Sequence, residues 1–205
     1  MGLFISFEGG EGCGKSTQAR ALYRRLRRRG LPVLLTKEPG GTPLGRAVRK
    51  LLKRDRLSIN ALTEVLLFAA ARAELVQEVI RPALDQGMIV LCDRFAESTL
   101  AYQGYGRGLD LNLVSRLNDL ATGGLKPDLI ILLDLEVGRG LKRKRGRDRF
   151  ERESLSFHER VRRGYLELAG SGDDRWQVID ASLPPRLVRQ TIWRRVREFL
   201  DTRGF

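Results

Sequence analysis

Gly9, Gly10, Glu11, Gly12, Cys13, Gly14, Lys15 and Ser16 fit the spacing G-x-x-x-x-G-K-[ST], and no other stretch limits the possible folds as tightly. The glycines let the backbone turn sharply and aim its N–H groups inward at phosphate oxygens. Such a loop works between a buried strand and a helix N-terminus, whose unsatisfied N–H groups and positive dipole end face the anion. Both flanks are present, the apolar run FISFE before it and an amphipathic segment over residues 18–29 after it. The pattern predicts an ATP cradle from Gly9 to Thr17, with Lys15 bridging the β- and γ-phosphates and Ser16 ligating Mg²⁺. A chance glycine-rich turn is the bland alternative, and the strand–loop–helix setting argues against it.

Apolar runs of strand length recur at residues 3–7, 32–36, 88–92, 129–134 and 176–179. Helical spacing covers residues 15–29, 44–53, 60–86, 112–122, 136–145, 151–169 and 185–200. Strands that are continuously apolar, rather than alternating, are buried on both faces, as in a parallel sheet. Their alternation with helices predicts an α/β fold, a doubly wound five-stranded parallel sheet flanked by helices. With 205 residues and no repeat or linker, the chain is expected to form one domain. On residues 60–86 the predicted core stripe is Leu62, Val65, Leu66, Ala69, Ala73, Val76 and Ile80.

Ligands of such sheets bind beyond the C-terminal strand ends. Glycine and charge gather there: Glu8 to Gly10, Lys37 to Gly41, Asp93-Arg94 and Asp134. GTPases normally carry an N-K-x-D motif, which is absent, and motor or transporter ATPases place an acidic pair after a later strand. Here Asp93 is followed by Arg94, which points to an anionic acceptor beside the metal. Arg94 can grip a phosphate with two parallel hydrogen bonds; the bland alternative is a surface ion pair.

The net charge of +13 suggests a polyanionic partner. It concentrates at residues 20–29, 139–152 and 186–203. The first and last clusters lie on predicted helices and read as solvated basic faces. A nucleic-acid-binding ATPase therefore stays open beside a small-molecule kinase. Cys13 and Cys92 are isolated and His158 is the only histidine, so a zinc site is not expected. No apolar run approaches the ~18 residues that span a bilayer, and the expected setting is cytoplasmic, without a membrane partner.

Six segments, FEGGEGCGKSTQ, EPGGTPLG, LLFAAARAELV, DRFAESTLAYQGYGRG, KPDLIILLDL and DRFERES, occur in an order and spacing that resemble bacterial thymidylate kinases over nearly the whole chain. The resemblance implies a P-loop NTPase fold of the nucleoside monophosphate kinase type. It also implies transfer of the ATP γ-phosphoryl group to dTMP on the way to dTTP, with Mg²⁺, ATP and dTMP as ligands, a homodimer, and no nucleic acid.

By the same resemblance, Phe68 stacks on thymine and Arg72 reads the base. Taken alone, the pair reads rather as a flanking core ring and a solvent-facing cation. Arg94 holds the dTMP phosphate, with Asp93 near the metal or its waters. Ser98, Tyr102 and Gln103 lie near the sugar and base, and Glu38, Pro39 and Gly40 line the acceptor pocket. Glu11 aims at the sugar 3′-hydroxyl. Lys37 stands where many relatives carry arginine. The implied dimer packs near residues 60–86, where Leu75 and Val79 form a second apolar shoulder that fits such a contact and could equally pack inside the monomer.

The middle basic cluster, RGLKRKRGRDRFERE, reads as the end of a helix followed by a loop. Phosphoryl transfer needs cations on the transferring oxygens, and positions 10–13 of the phosphate loop supply none. A mobile basic lid at about residues 139–152 is therefore expected to bring one. Arg149 is the first choice, with Arg143 and Arg147 behind it.

Overall fold

A computed structural model describes residues 2–54, 57–143 and 148–203. Five strands, β1 (Leu3–Glu8), β2 (Val33–Lys37), β3 (Ile89–Asp93), β4 (Leu129–Asp134) and β5 (Trp176–Asp180), form one parallel sheet in the order β2-β3-β1-β4-β5. The central position of β1 explains its composition. Leu3, Ile5 and Phe7 join one hydrophobic cluster and Phe4 another, because alternate side chains leave opposite faces of the sheet.

Helices α1 (Lys15–Arg28) and α9 (Pro185–Arg203) cover the first face. On α9, Val188, Ile192, Val196 and Leu200 recur every fourth residue and are all buried, each contributing about 1.5–3 kcal/mol. The basic ends of these helices stay outside, and the Arg25 and Arg29 guanidinium groups lie 4.0 and 4.3 Å from the Trp193 ring centre. Cations in the last turn of α1 also complement its dipole.

The other face carries α2 (Pro43–Leu52), α3 (Ala61–Leu75), α4 (Arg81–Asp85), α5 (Ala96–Thr99), α6 (Leu111–Thr122) and α8 (Leu155–Ala169), while α7 (Val137–Lys142) packs on α8 and against the phosphate loop. A π-helical turn, Val76–Ile80, joins α3 to α4, so the predicted long helix is continuous but widened in the middle. A second π-helical stretch, Leu100–Gly106, extends α5. The sequence pattern did not predict any helix there.

The predicted core stripe of α3 needs correction. Leu62 and Leu66 are 49% and 47% exposed, while Glu64, Val65, Ala71, Arg72 and Leu75 are buried. Leucine and alanine surround this helix on nearly every side, so its apolar period does not mark the inner face. Leu75, open to either a dimer contact or the monomer core, is 1% exposed and packs inside the monomer. The predicted helix over residues 136–145 shortens to Val137–Lys142, and α8 starts four residues later than expected, at Leu155.

Candidate active site

The phosphate loop runs from the end of β1 to the start of α1. Gly14, at φ 99°, caps the helix in a left-handed conformation. Gly12 lies backbone to backbone against Gly140 of α7, where a Cβ on either would strike the other strand of chain. Lys15 folds back over the loop and donates to the carbonyls of Gly9 (2.8 Å) and Gly10 (2.7 Å). Beside it the Ser16 hydroxyl donates to Asp93 Oδ2 at the end of β3. Cys13 and Cys92 are buried free thiols, as expected of small fillers.

A cleft of about 730 Å³ opens from this loop. Its opposite side is reached through Arg94, which takes φ 75°, a conformation that a non-glycine side chain rarely adopts. The turn sends the guanidinium back towards the loop. One nitrogen donates to Glu11 (2.6 Å) and the Tyr102 hydroxyl (3.0 Å); the other lies near Gly9 O, Ser98 Oγ and the Tyr165 hydroxyl. Glu11 also accepts from Tyr102 at 2.8 Å. Glu11, Arg94, Ser98 and Tyr102 are thus brought together as one cluster beside the loop.

Glu8, which the sequence placed at the β1 exit without a role, holds that cluster from below. It is fully buried at the end of β1 and accepts from the Phe95 amide (2.7 Å), Ser98 Oγ (2.6 Å) and the Tyr165 hydroxyl (3.1 Å). Burial, with the nearby Glu97 adding to it, pushes its carboxyl up to about 8 from an ordinary 4.5, against opposing pulls from Ser98 and Arg94. A raised folded-state pKa gives stability that is complete below about pH 4.5 and is lost as pH rises through about 8. In denaturant titrations, Glu8→Gln should therefore gain on wild type between pH 5 and pH 8.5, by a few kcal/mol. A stability difference that stays constant over this range would contradict the assignment.

Arg72 is not solvent-facing. It is 1% exposed and donates to Glu38 (2.9 and 2.6 Å), Asn118 (2.5 Å), Thr99 (2.9 Å) and Phe95 O (3.1 Å). Burial raises the Glu38 carboxyl, and the Arg72 charge opposes that rise. Phe68, Arg72, Gln103, Pro39 and Gly40 line the same cleft, as do Glu38 and Lys37. Gln103 donates to Glu64 at 2.7 Å. Glu64, missed in the sequence reading, is a buried carboxylate that takes Arg107 (3.1 Å) and Arg149 (2.5 Å) as well. Its signal was present in the sequence: Glu64, Phe68 and Arg72 are each four apart, on one face of α3.

The basic cluster is placed differently from expectation. Arg143, at the end of α7, lines the cleft, whereas Arg149 does not. The Arg149 guanidinium is drawn away by the Glu64 carboxylate and by Leu52 O at 2.9 Å. Arg147 lies outside the described residues. His158 is a packing residue, buried beside Phe157, and burial lowers its pKa.

Among the described residues no cluster of three or more His, Cys, Asp or Glu could hold a metal. No helix there is long and apolar enough to cross a membrane.

The thymidylate kinase family model matches residues 7–192. A curated thymidylate kinase from Thermosynechococcus vestitus is 54% identical, over 93% of this chain and 85% of its own length. One from Dehalococcoides mccartyi is 52% identical over the full length of both. Among solved structures, the thymidylate kinase from Ehrlichia chaffeensis superposes with a TM-score of 0.79 at 35% identity, covering 95% of this chain and 98% of that one. The phosphate loop with its facing arginine cluster, the β2-β3-β1-β4-β5 sheet and these full-length matches agree: the chain belongs to the thymidylate kinase family.

Proposed function

We infer that the cleft carries the family's reaction in this chain: the γ-phosphoryl group of ATP passes to the phosphate of dTMP, giving dTDP and ADP on the route to dTTP. The observation that carries this reading is the Arg94 fork. It lies at hydrogen-bond distance from Gly9 O of the ATP loop and from Tyr102 and Ser98 on the acceptor side. A dTMP phosphate held there meets the triphosphate end to end. The attacking atom is already an anionic phosphate oxygen, so alignment and charge neutralisation supply most of the catalysis.

Lys15 exchanges loop carbonyls for β- and γ-phosphate oxygens. The Ser16 hydroxyl and Asp93 carboxylate are hard oxygen donors already in contact. They suit Mg²⁺, which typically takes one or two protein ligands and fills its shell with phosphate and water. When bound, the ion neutralises charge on the bridging phosphates.

Phe68 offers a flat face to thymine. Arg72 has five N–H donors, and its Nη1 makes one bond, to Asn118, which leaves a second N–H for a base carbonyl. Glu11 accepts from the sugar 3′-hydroxyl. The test is an acceptor panel with ATP and Mg²⁺: dTMP, dUMP, UMP, AMP, thymidine and single-stranded DNA. dTMP should be the best acceptor by a wide margin; turnover seen only with DNA would favour the nucleic-acid ATPase.

The basic lid supplies the cation absent from the loop. Among the described residues Arg143 takes this part, because it already lines the cleft, whereas Arg149 must first leave Glu64. Arg143→Ala should lower kcat by about 10²-fold or more, and by more than Arg149→Ala does. The reverse order would return the role to Arg149.

The working enzyme is a cytoplasmic homodimer. Its contact is the exposed apolar side of α3 carrying Leu62 and Leu66, not the buried Leu75. Leu66→Glu should sediment as a monomer where wild type sediments as a dimer; a dimeric variant would move the interface elsewhere.

A further inference from the structure

Phe150 belongs to the basic segment, yet it sits among acceptor-side residues. Its ring is 8% exposed and lines the cleft. The ring centre is 6.0 Å from that of Phe68 and 6.2 Å from that of Tyr102, the latter edge to face at 78°.

The residues on either side of Phe150 are tied down. Asp148 accepts from the amides of Phe150 (3.1 Å) and Glu151 (3.2 Å), and from Lys53 Nζ (2.5 Å) just after α2. Arg149 is fastened to Glu64 of α3 and to Leu52 O. Two charged anchors therefore flank one apolar side chain and set its direction. Orienting Phe150 gives the Arg149–Glu64 pair a use beyond electrostatics, since that carboxylate also holds Gln103 on the acceptor wall.

Three aromatic rings meeting at a cleft corner form a site for a flat, partly apolar ring, with edge and face contacts available together. We propose that Phe150 is an acceptor-binding residue that packs with Phe68 and Tyr102 around the methylated pyrimidine of dTMP. The segment that bears the lid arginines thus also reads the acceptor. This rests on assigning the Phe68 side of the cleft to dTMP.

The experiment measures KM for dTMP and for ATP separately in wild type and in Phe150→Leu, Phe150→Val and Phe150→Ala. KM for dTMP should rise as the side chain shrinks, by about tenfold or more for Ala, with KM for ATP nearly constant. A purely structural role would move both constants together or lower only the amount of active enzyme. An unchanged KM for dTMP, or equal rises for both substrates, would overturn the proposal. If the Ala variant does not fold, the order of Leu and Val decides by the same criterion. Failure of wild type to phosphorylate dTMP would instead sink the functional reading itself.

Discussion

Lys15→Ala should lose about 10³-fold in kcat, roughly 4 kcal/mol of transition-state stabilisation, while its thermal midpoint stays close to that of wild type. The ammonium group now rests on the Gly9 and Gly10 carbonyls, and those bonds are replaceable. Gly9 O also accepts from Arg94 at 3.2 Å, and Gly14 N-caps α1 whether or not the lysine is present. The loop therefore keeps its shape without Lys15. What the proposed reaction loses is a cation where negative charge accumulates on the β- and γ-phosphates. Turnover is read by coupled ADP release and folding by circular dichroism. Activity within tenfold of wild type would remove Lys15 from the mechanism.

The parts of this molecule that follow from local pattern were legible in the sequence. β1 and β4 are almost wholly buried, and their short apolar runs, interrupted only by Ser6 in β1, read as inner strands. The phosphate loop was legible because its glycines act through backbone geometry and its lysine follows them at a fixed spacing.

The inner face of α3 was not legible, because apolar residues surround it and only tertiary contact decides which of them turn inward. Leu100–Gly106 was given no element for a related reason: its glycines and aromatics carry no clear helical period, yet the segment packs against α8 as a π-helix. Glu8, Glu64 and Tyr165 are polar residues with partners 39 to 157 positions away, and no window on the sequence brings those partners together. The direction of Arg149 depended on Glu64 in the same way. A motif identified the arginine, and a distant carboxylate set where it points.

The second large effect is expected at Arg94. Arg94→Lys should lower kcat/KM for dTMP by about 10²–10³-fold and leave KM for ATP within a few-fold of wild type. Lysine keeps the positive charge and can occupy the same backbone position, so charge alone would predict a mild change. Geometry predicts otherwise. The guanidinium spreads two nitrogens between Glu11 and Tyr102 on one side and Gly9 O and Ser98 on the other, and an ammonium has no such fork. A lysine drawn to Glu11 would leave the dTMP phosphate with a point contact and no fixed orientation towards the γ-phosphate. The φ of 75° at this position, braced by the Arg94 amide on Phe7 O (3.0 Å) and the Phe95 amide on Glu8, turns that fork towards the loop. If Arg94→Lys keeps kcat/KM for dTMP within fivefold of wild type, charge is sufficient there, and bidentate alignment is not what the strained turn provides.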